Sequence, residues 1–241
     1  MKYMGSKNRI AKYILPIMLK YRTPEMTWVE PFVGGANMID KVEGKRIGAD
    51  INEYLIRALN VVKYNFDTIP SNNKEFTEDD FNKIKLKNLK GLTDLECFLL
   101  HVCSFSGMFN GGFARGRATE DFVRAAKGNA KKQSPLLQGV DLIHSSYDEL
   151  EIPQNSLIYC DPPYKGTAKY KTGDFDHEAF WQWCRDKNKE GHKVFISEYN
   201  APIDFECLWE HELINNLNSK KATEKLFTPM AAIADKERGL F

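Results

Sequence analysis

Short apolar runs that end in an acid or in turn residues recur along the chain, and helical spacing fills much of what lies between. Leu157–Cys160 reads Leu-Ile-Tyr-Cys and is followed at once by Asp161, Pro162, Pro163 and Tyr164. Such a run predicts a buried central parallel strand, and two prolines without a backbone N–H cannot extend its ladder. The stretch from Thr27 predicts a strand, a glycine turn at Gly34-Gly35, and a helix beginning near Asn37. Arg46–Asp50, Val140–His144 and Lys193–Ser197 read as further strands. Cys207–Leu213 predicts an edge strand and Lys225–Phe227 a last short one. Ile10, Tyr13, Ile14, Ile17, Met18 and Tyr21 recur at helical spacing, with Ser6 as the expected N-cap and Pro16 as a kink or break. Leu55, Leu59, Val62 and Phe66 share one face of a helix over Glu53–Phe66. Asp176 is placed to cap a helix that runs to about Glu190 and buries Phe180, Trp181 and Cys184. From Asp67 to about Gly139 the strand–helix alternation is lost.

Composition narrows the class. A chain of 241 residues with 42% hydrophobic residues can build one large core, with or without an inserted subdomain. No apolar run approaches a membrane span and no signal-peptide core is present. The five cysteines form no C-x-x-C pair, which suits reduced thiols in a cytoplasmic protein. The histidines are scattered, so no metal site is expected. A net charge of +1 excludes a uniformly basic nucleic-acid binder. Between residues 82 and 132, however, ten Lys and Arg face four acids, a local net of +6. That asymmetry is the footprint of a polyanion-binding face. Within it, 104–117 combines glycines, three phenylalanines and two arginines, which suits a loop that contacts phosphates and probes base stacks.

Two stretches carry chemistry. Asp161 falls at the carboxyl end of its strand, where open α/β sheets bind ligands. Its carboxylate, the Pro162 carbonyl on a stiff backbone and the Tyr164 ring suit a planar group with an exocyclic NH2. Accepting both N–H bonds favours a tetrahedral, more nucleophilic amine. The competing structural reading is a strand-ending turn with an Asp cap. The second stretch is a strand, a glycine turn and a second strand ending in Asp50, the nucleoside-binding half of a Rossmann-like sheet, with the acid accepting from ribose hydroxyls. The glycines are too few for G-x-G-x-x-G, and no phosphate-binding G-K-[ST] follows. A nucleoside without pyrophosphate, such as S-adenosylmethionine, fits better than NAD or ATP. Gly166–Asp174 reads as a mobile flap. Lys7 sets a cation near a helix start, which favours a bound anion there.

These residues resemble the DNA adenine-N6 methyltransferases of the Dam-like group, in their compact phage and prophage form. The resemblance runs from Lys2 to about Phe227. It is anchored by Tyr3-Met-Gly-Ser-Lys7, Glu30-Pro-Phe-Val-Gly-Gly35, Asp50 and Asp161-Pro-Pro-Tyr164, in that order. It implies an α/β fold with a Rossmann-like S-adenosylmethionine-dependent methyltransferase sheet. Residues 1–66 and 140–227 would form the catalytic domain and 67–139 an inserted, mainly helical target-recognition subdomain, with 228–241 a tail of unassigned role. It further implies that Tyr3, Lys7, Pro31, Phe32, Gly34, Asp50, Tyr147 and Asp161 line the cofactor. Asp161, Pro162 and Tyr164 would hold an adenine flipped out of double-stranded DNA. Ala36 departs from the family, where many members have glycine. The insert lacks the Arg-x-Asn pattern of GATC-specific members, so no recognition site is carried over. Arg115, Arg117 and Arg124 are the candidates for DNA contact. A cytoplasmic, phage- or prophage-encoded monomer or weak dimer is expected, with a cognate restriction enzyme as a further candidate partner. The alternatives are transfer to another planar amine (cytosine N4, RNA adenine or protein glutamine) or an idle DNA-binding relative. A nicotinamide enzyme is disfavoured by the missing glycines.

Overall fold

The computed structural model describes residues 1–114, 120–164, 175–214 and 221–230; at 106, 213, 214, 221 and 222 only the backbone is described. Arg115, Arg117, the expected flap at 166–174 and most of the tail therefore lie outside the described residues. Among the described residues there are seven strands, and the chain divides into two compact units, each with its own parallel strand pairing. The α/β class expected from the sequence is the class observed.

The first unit comprises Met1–Arg9 and Val33–Tyr147. Its strands β2 (Arg46–Asp50) and β3 (Val140–His144) pair in parallel, Arg46 opposite Val140 and Asp50 opposite His144. Among its described residues this unit has four α-helices: α2 (Glu53–Tyr64), α3 (Glu78–Lys85), α4 (Asp94–Val102) and α5 (Phe122–Gln133). Each starts on a polar cap. Asn52 accepts from the N–H groups of Tyr54 and Leu55, Thr77 and Thr93 form capping boxes with Asp80 and Glu96, and Asp121 accepts from Arg124. A cap of this kind contributes about 1 kcal/mol. The helix expected near Asn37 is instead a single 3-10 turn, Ile39–Lys41. Only eight residues lie between Asn37 and the start of β2, and Val42 is already extended at φ −109°.

The described part of the expected base-probing loop, 104–114, is tied to its surroundings more than its glycines suggest. Phe105 N donates to Gly112 O at 2.7 Å and Ala114 N to Cys103 O at 2.7 Å. Phe109 stacks on Tyr54 at 5.0 Å and Phe113 meets Phe81 edge-on at 5.2 Å, while Phe105 is 61% exposed. Two of the three phenylalanines thus anchor the segment to its own unit. Some of the local positive charge is also used internally. Lys85 donates to Gly111 O at 2.7 Å, Lys127 to Ile69 O at 2.6 Å, and Lys87 pairs with Glu96.

The second unit comprises Ile10–Phe32 and Asp148–Phe241. Its strands run in the order β1 (Thr27–Glu30), β4 (Ser156–Cys160), β5 (Lys193–Glu198), β7 (Lys221–Pro229) and β6 (Phe205–Ile214). The first three are parallel and the last two antiparallel. Every residue of β1 and of β4 is buried, as the unbroken apolar run of β4 requires. Helix α6 (His177–Lys189) begins as expected on Asp176, which accepts from Ala179 N at 3.0 Å, and it buries Phe180, Trp181 and Cys184. Helix α1 (Ala11–Leu19) runs through Pro16 without a break. Its N-cap is Ile10, whereas Ser6 accepts from Asn8 N at 3.4 Å in the preceding 3-10 turn. Among the described residues no helix is long and apolar enough to cross a membrane, and no cluster could hold a metal.

Candidate active site

In the first unit the glycine turn and the end of β2 hold each other. Val33 N donates to Ala49 O at 2.8 Å, which ties the start of the turn to β2. Asp50 then accepts two backbone N–H bonds, from Asn52 at 3.0 Å on Oδ1 and from Gly34 at 3.2 Å on Oδ2. Gly34 has φ +50°, and a Cβ there would lie 3.0 Å from Tyr3 Cε1. One on Gly35 would lie 2.6 Å from Asn37 Nδ2 and 2.8 Å from Met1 O, so the packing admits only glycine. Ala36, the departure from glycine noted in the sequence, sits at φ +56°, a left-handed conformation that costs a side-chain-bearing residue about 1 kcal/mol. Gln133, 5% exposed at the end of α5, braces this turn. Its Nε2 lies within bonding reach of Gly35 O and Ala36 O, both at 3.1 Å, and of Asp40 Oδ2 at 2.9 Å. Burial pushes the Asp50 carboxyl up to about 6, against the bonds from Asn52 and Gly34 and the nearby His144, which favour the charged form.

Tyr3, Gly34 and Asp50 are therefore brought together. Lys7 is buried, and its ammonium donates to Gly5 O at 3.2 Å within its own turn. Tyr147 is half-buried in the turn after β3. The donor set fits a nucleoside. Asp50 sits at a strand end beside a glycine turn, and each carboxylate oxygen keeps acceptor capacity after its one backbone bond.

In the second unit β4 delivers Asp161 half-buried, Pro162 buried and Tyr164 half-buried. The Tyr164 hydroxyl donates to Glu224 Oε2 at 2.7 Å, and its ring meets Tyr199 edge-on at 4.6 Å and 82°. Burial, then Asp161 and Glu224, hold the Tyr164 phenol well above its ordinary range, so it remains a neutral donor. Tyr159, on β4, shares a 2.8 Å hydrogen bond with Ser197 of β5. Glu30, 2% exposed, accepts from Trp28 Nε1 at 2.8 Å. Pro31 is buried, and Phe32 packs edge-on against Phe175 at 5.9 Å and Phe180 at 5.7 Å. Arg124 is exposed on α5 of the first unit, 3.7 Å from Asp121.

Sequence reasoning missed Gln133 and Glu224. A glutamine among the lysines of α5 and a glutamate in a polar strand carry no local motif. Each is identified by what the fold places opposite it.

The type II methyltransferase M.FokI of Planomicrobium okeanokoites is 26% identical over 215 residues, an alignment covering 77% of this chain and 31% of that protein. The chain thus spans about a third of the length of that curated relative. Among solved structures, the rRNA methyltransferase aviRa of Streptomyces viridochromogenes superposes with a TM-score of 0.45 at 10% identity, covering 97% of this chain and 89% of that one. A tRNA methyltransferase of Aquifex aeolicus gives 0.41 at 9%, covering 94% and 70%. The family model described as D12 class N6 adenine-specific DNA methyltransferase matches residues 3–226, and the chain belongs to that family.

Proposed function

We propose that the chain transfers the methyl group of S-adenosylmethionine to N6 of an adenine flipped out of double-stranded DNA. The observation that carries this reading is the end of β4, where a carboxylate, a proline carbonyl and an aromatic ring follow a fully buried strand in immediate succession. In the first unit Asp50 would accept from the ribose hydroxyls, with Tyr3 and Gly34 beside it and Lys7 and Tyr147 completing that unit's share of the cofactor set. Pro31, Phe32 and Asp161 belong to the same set in the second unit. When bound, S-adenosylmethionine supplies an electrophilic methyl group on a sulfonium.

The chain's own residues do the rest by positioning. Asp161 and the Pro162 carbonyl accept the two N6 hydrogens, which draws the nitrogen lone pair out of conjugation with the ring. Tyr164 stacks on the base. As N6 bonds to the methyl carbon, the carbon–sulfur bond would break and leave a neutral thioether. The positive charge thus passes to N6 until one proton is lost to solvent, and the carboxylate of Asp161 favours that charge. Arg115, Arg117 and Arg124 are the proposed phosphate or base contacts. With this reading go a monomer or weak dimer, read by sedimentation, and a cognate restriction enzyme, from which methylated DNA should be protected.

The test is transfer of label from S-adenosylmethionine to mixed-sequence duplex DNA, followed by digestion and sequencing that detects modified bases. Label in N6-methyladenine at one short motif is the expected result. Cofactor binding with no label in DNA would overturn the reading and point to RNA or protein.

A further inference from the structure

We propose that Glu224 is the positioning residue that sets the stacking face of Tyr164, a role that rests on the reading of Tyr164 as the surface against which the target adenine lies. Tyr164 stands four residues beyond the end of β4, after two prolines that have no N–H to bond to a neighbouring strand. The backbone ladder that orients β4 side chains therefore stops short of it. Its orientation is supplied from elsewhere in the same unit.

Glu224 lies on β7, whose register against β5 places Lys225 opposite Glu198 and Leu226 opposite Ser197. On its other side Glu224 pairs with His211 of β6. Its Cα is thus held by the β6 ladder, one residue beyond the last pair with β5. From there its carboxylate takes the Tyr164 hydroxyl at 2.7 Å, a charge-assisted bond of the stronger kind. Tyr199, the residue directly after β5, forms a T-shaped contact with that ring at 4.6 Å and 82°. An aromatic ring turns broadly about its last torsion. The bond at the hydroxyl fixes where the far end of the ring points, and the Tyr199 contact fixes its rotation. A base stacked on that ring inherits both constraints, so the aim of N6 depends on a strand distant in sequence from the Asp-Pro-Pro-Tyr motif. Small misplacements are costly in a displacement that works by alignment.

A double-mutant cycle tests this, using wild type, Tyr164→Phe, Glu224→Gln and the double variant. Tyr164→Phe keeps the ring and removes the hydroxyl, and Glu224→Gln keeps an acceptor and removes its charge. The expected kcat/KM for DNA falls about tenfold in Tyr164→Phe and about threefold in Glu224→Gln, and the double variant is no worse than Tyr164→Phe alone. The dissociation constant for S-adenosylmethionine stays the same in all four, which also reports that they are folded. Duplex DNA carrying 2-aminopurine at the target position should fluoresce more strongly in the variants, because the flipped base stacks less well. An inert Glu224→Gln, or the same loss with and without the Tyr164 hydroxyl, overturns the role. Wild type that transfers no methyl to DNA instead overturns the functional reading itself. A ring-labelled Tyr164 NMR shift that moves in Glu224→Gln separates that case, since it reports the bond without turnover.

Discussion

In the first unit the parallel strand β2 ends in Asp50, in the second the parallel strand β4 is followed at once by Asp161, and the residues after each acid set its surroundings. After Asp50 comes Ile51-Asn52, and Asn52 returns its backbone N–H to the carboxylate at 3.0 Å while Gly34 supplies a second at 3.2 Å. Asp50 is an acceptor locked into the backbone. After Asp161 come two prolines, neither of which has an N–H to return. On the proposed reading, the same residue type at the same end of a parallel strand is a holding acid in one unit and a reacting acid in the other.

The comparison breaks first at Asp161. Asp161→Ala should lower kcat for methyl transfer about a thousandfold, the scale on which removing one preorganised polar group from a reacting centre acts. Binding of S-adenosylmethionine should remain measurable by calorimetry and be weakened far less than turnover. Turnover near the wild-type rate would remove any distinction between the two acids. Asp50→Ala should do the reverse, raising the cofactor dissociation constant about thirtyfold through loss of acceptors for paired hydroxyls.

Asp50 also predicts a pH dependence. Burial raises its pKa from the ordinary 3.8 to about 6. Its contribution to folding stability is therefore fully present below about 3.8 and lost as pH rises through about 6. Cofactor binding runs the other way, because hydroxyl donors prefer the ionised carboxylate. The dissociation constant should fall as pH rises through about 6, and Asp50→Asn should flatten that profile. A flat profile in the wild type would place the ribose elsewhere.

Much of both strand ends was legible in the sequence. Arg46–Asp50 and Val140–His144 emerge with the bounds predicted, because a short apolar run next to turn residues has few other ways to bury itself. Asp176 was legible as a cap for the same local reason. What escaped prediction depended on partners distant in the chain. Asn37 looked like a helix start, yet two left-handed residues, Gly34 and Ala36, use up the turn before it. Phe109 and Phe113 look the same in sequence as exposed Phe105, and only packing against Tyr54 and Phe81 separates them. Gln133 and Glu224 take their meaning from Gly35 and Tyr164, 98 and 60 residues away in the chain respectively, and no local pattern spans such distances.

The brace on the holding side sharpens the comparison at a smaller scale. Gln133→Leu removes the amide that reaches Gly35 O, Ala36 O and Asp40 Oδ2. It should destabilise the protein by about 2 kcal/mol by denaturant titration and weaken cofactor binding several-fold. Ala36→Gly relieves a left-handed residue and should recover up to about 1 kcal/mol of that loss. Equal stability of Gln133→Leu and wild type would show that the turn holds itself without α5.

The smallest expected effect falls on Arg124, whose side chain is 75% exposed and whose Nε lies 3.7 Å from Asp121 Oδ2. An exposed pair at that separation contributes little to stability, so Arg124→Ala should leave the melting temperature almost unchanged. Asp121 keeps its more important role, since it caps α5 through the Arg124 backbone N–H at 2.8 Å, which the substitution preserves. The guanidinium is therefore available to a phosphate at the cost of one weak contact. If it binds one, Arg124→Ala should lower DNA affinity about threefold near physiological salt. It should also reduce the slope of log affinity against log salt by about one. An unchanged slope with lowered affinity would mean that Arg124 reads a base edge or acts through the helix. Both unchanged would place DNA away from this face of α5 and leave the recognition role to other residues of the basic segment.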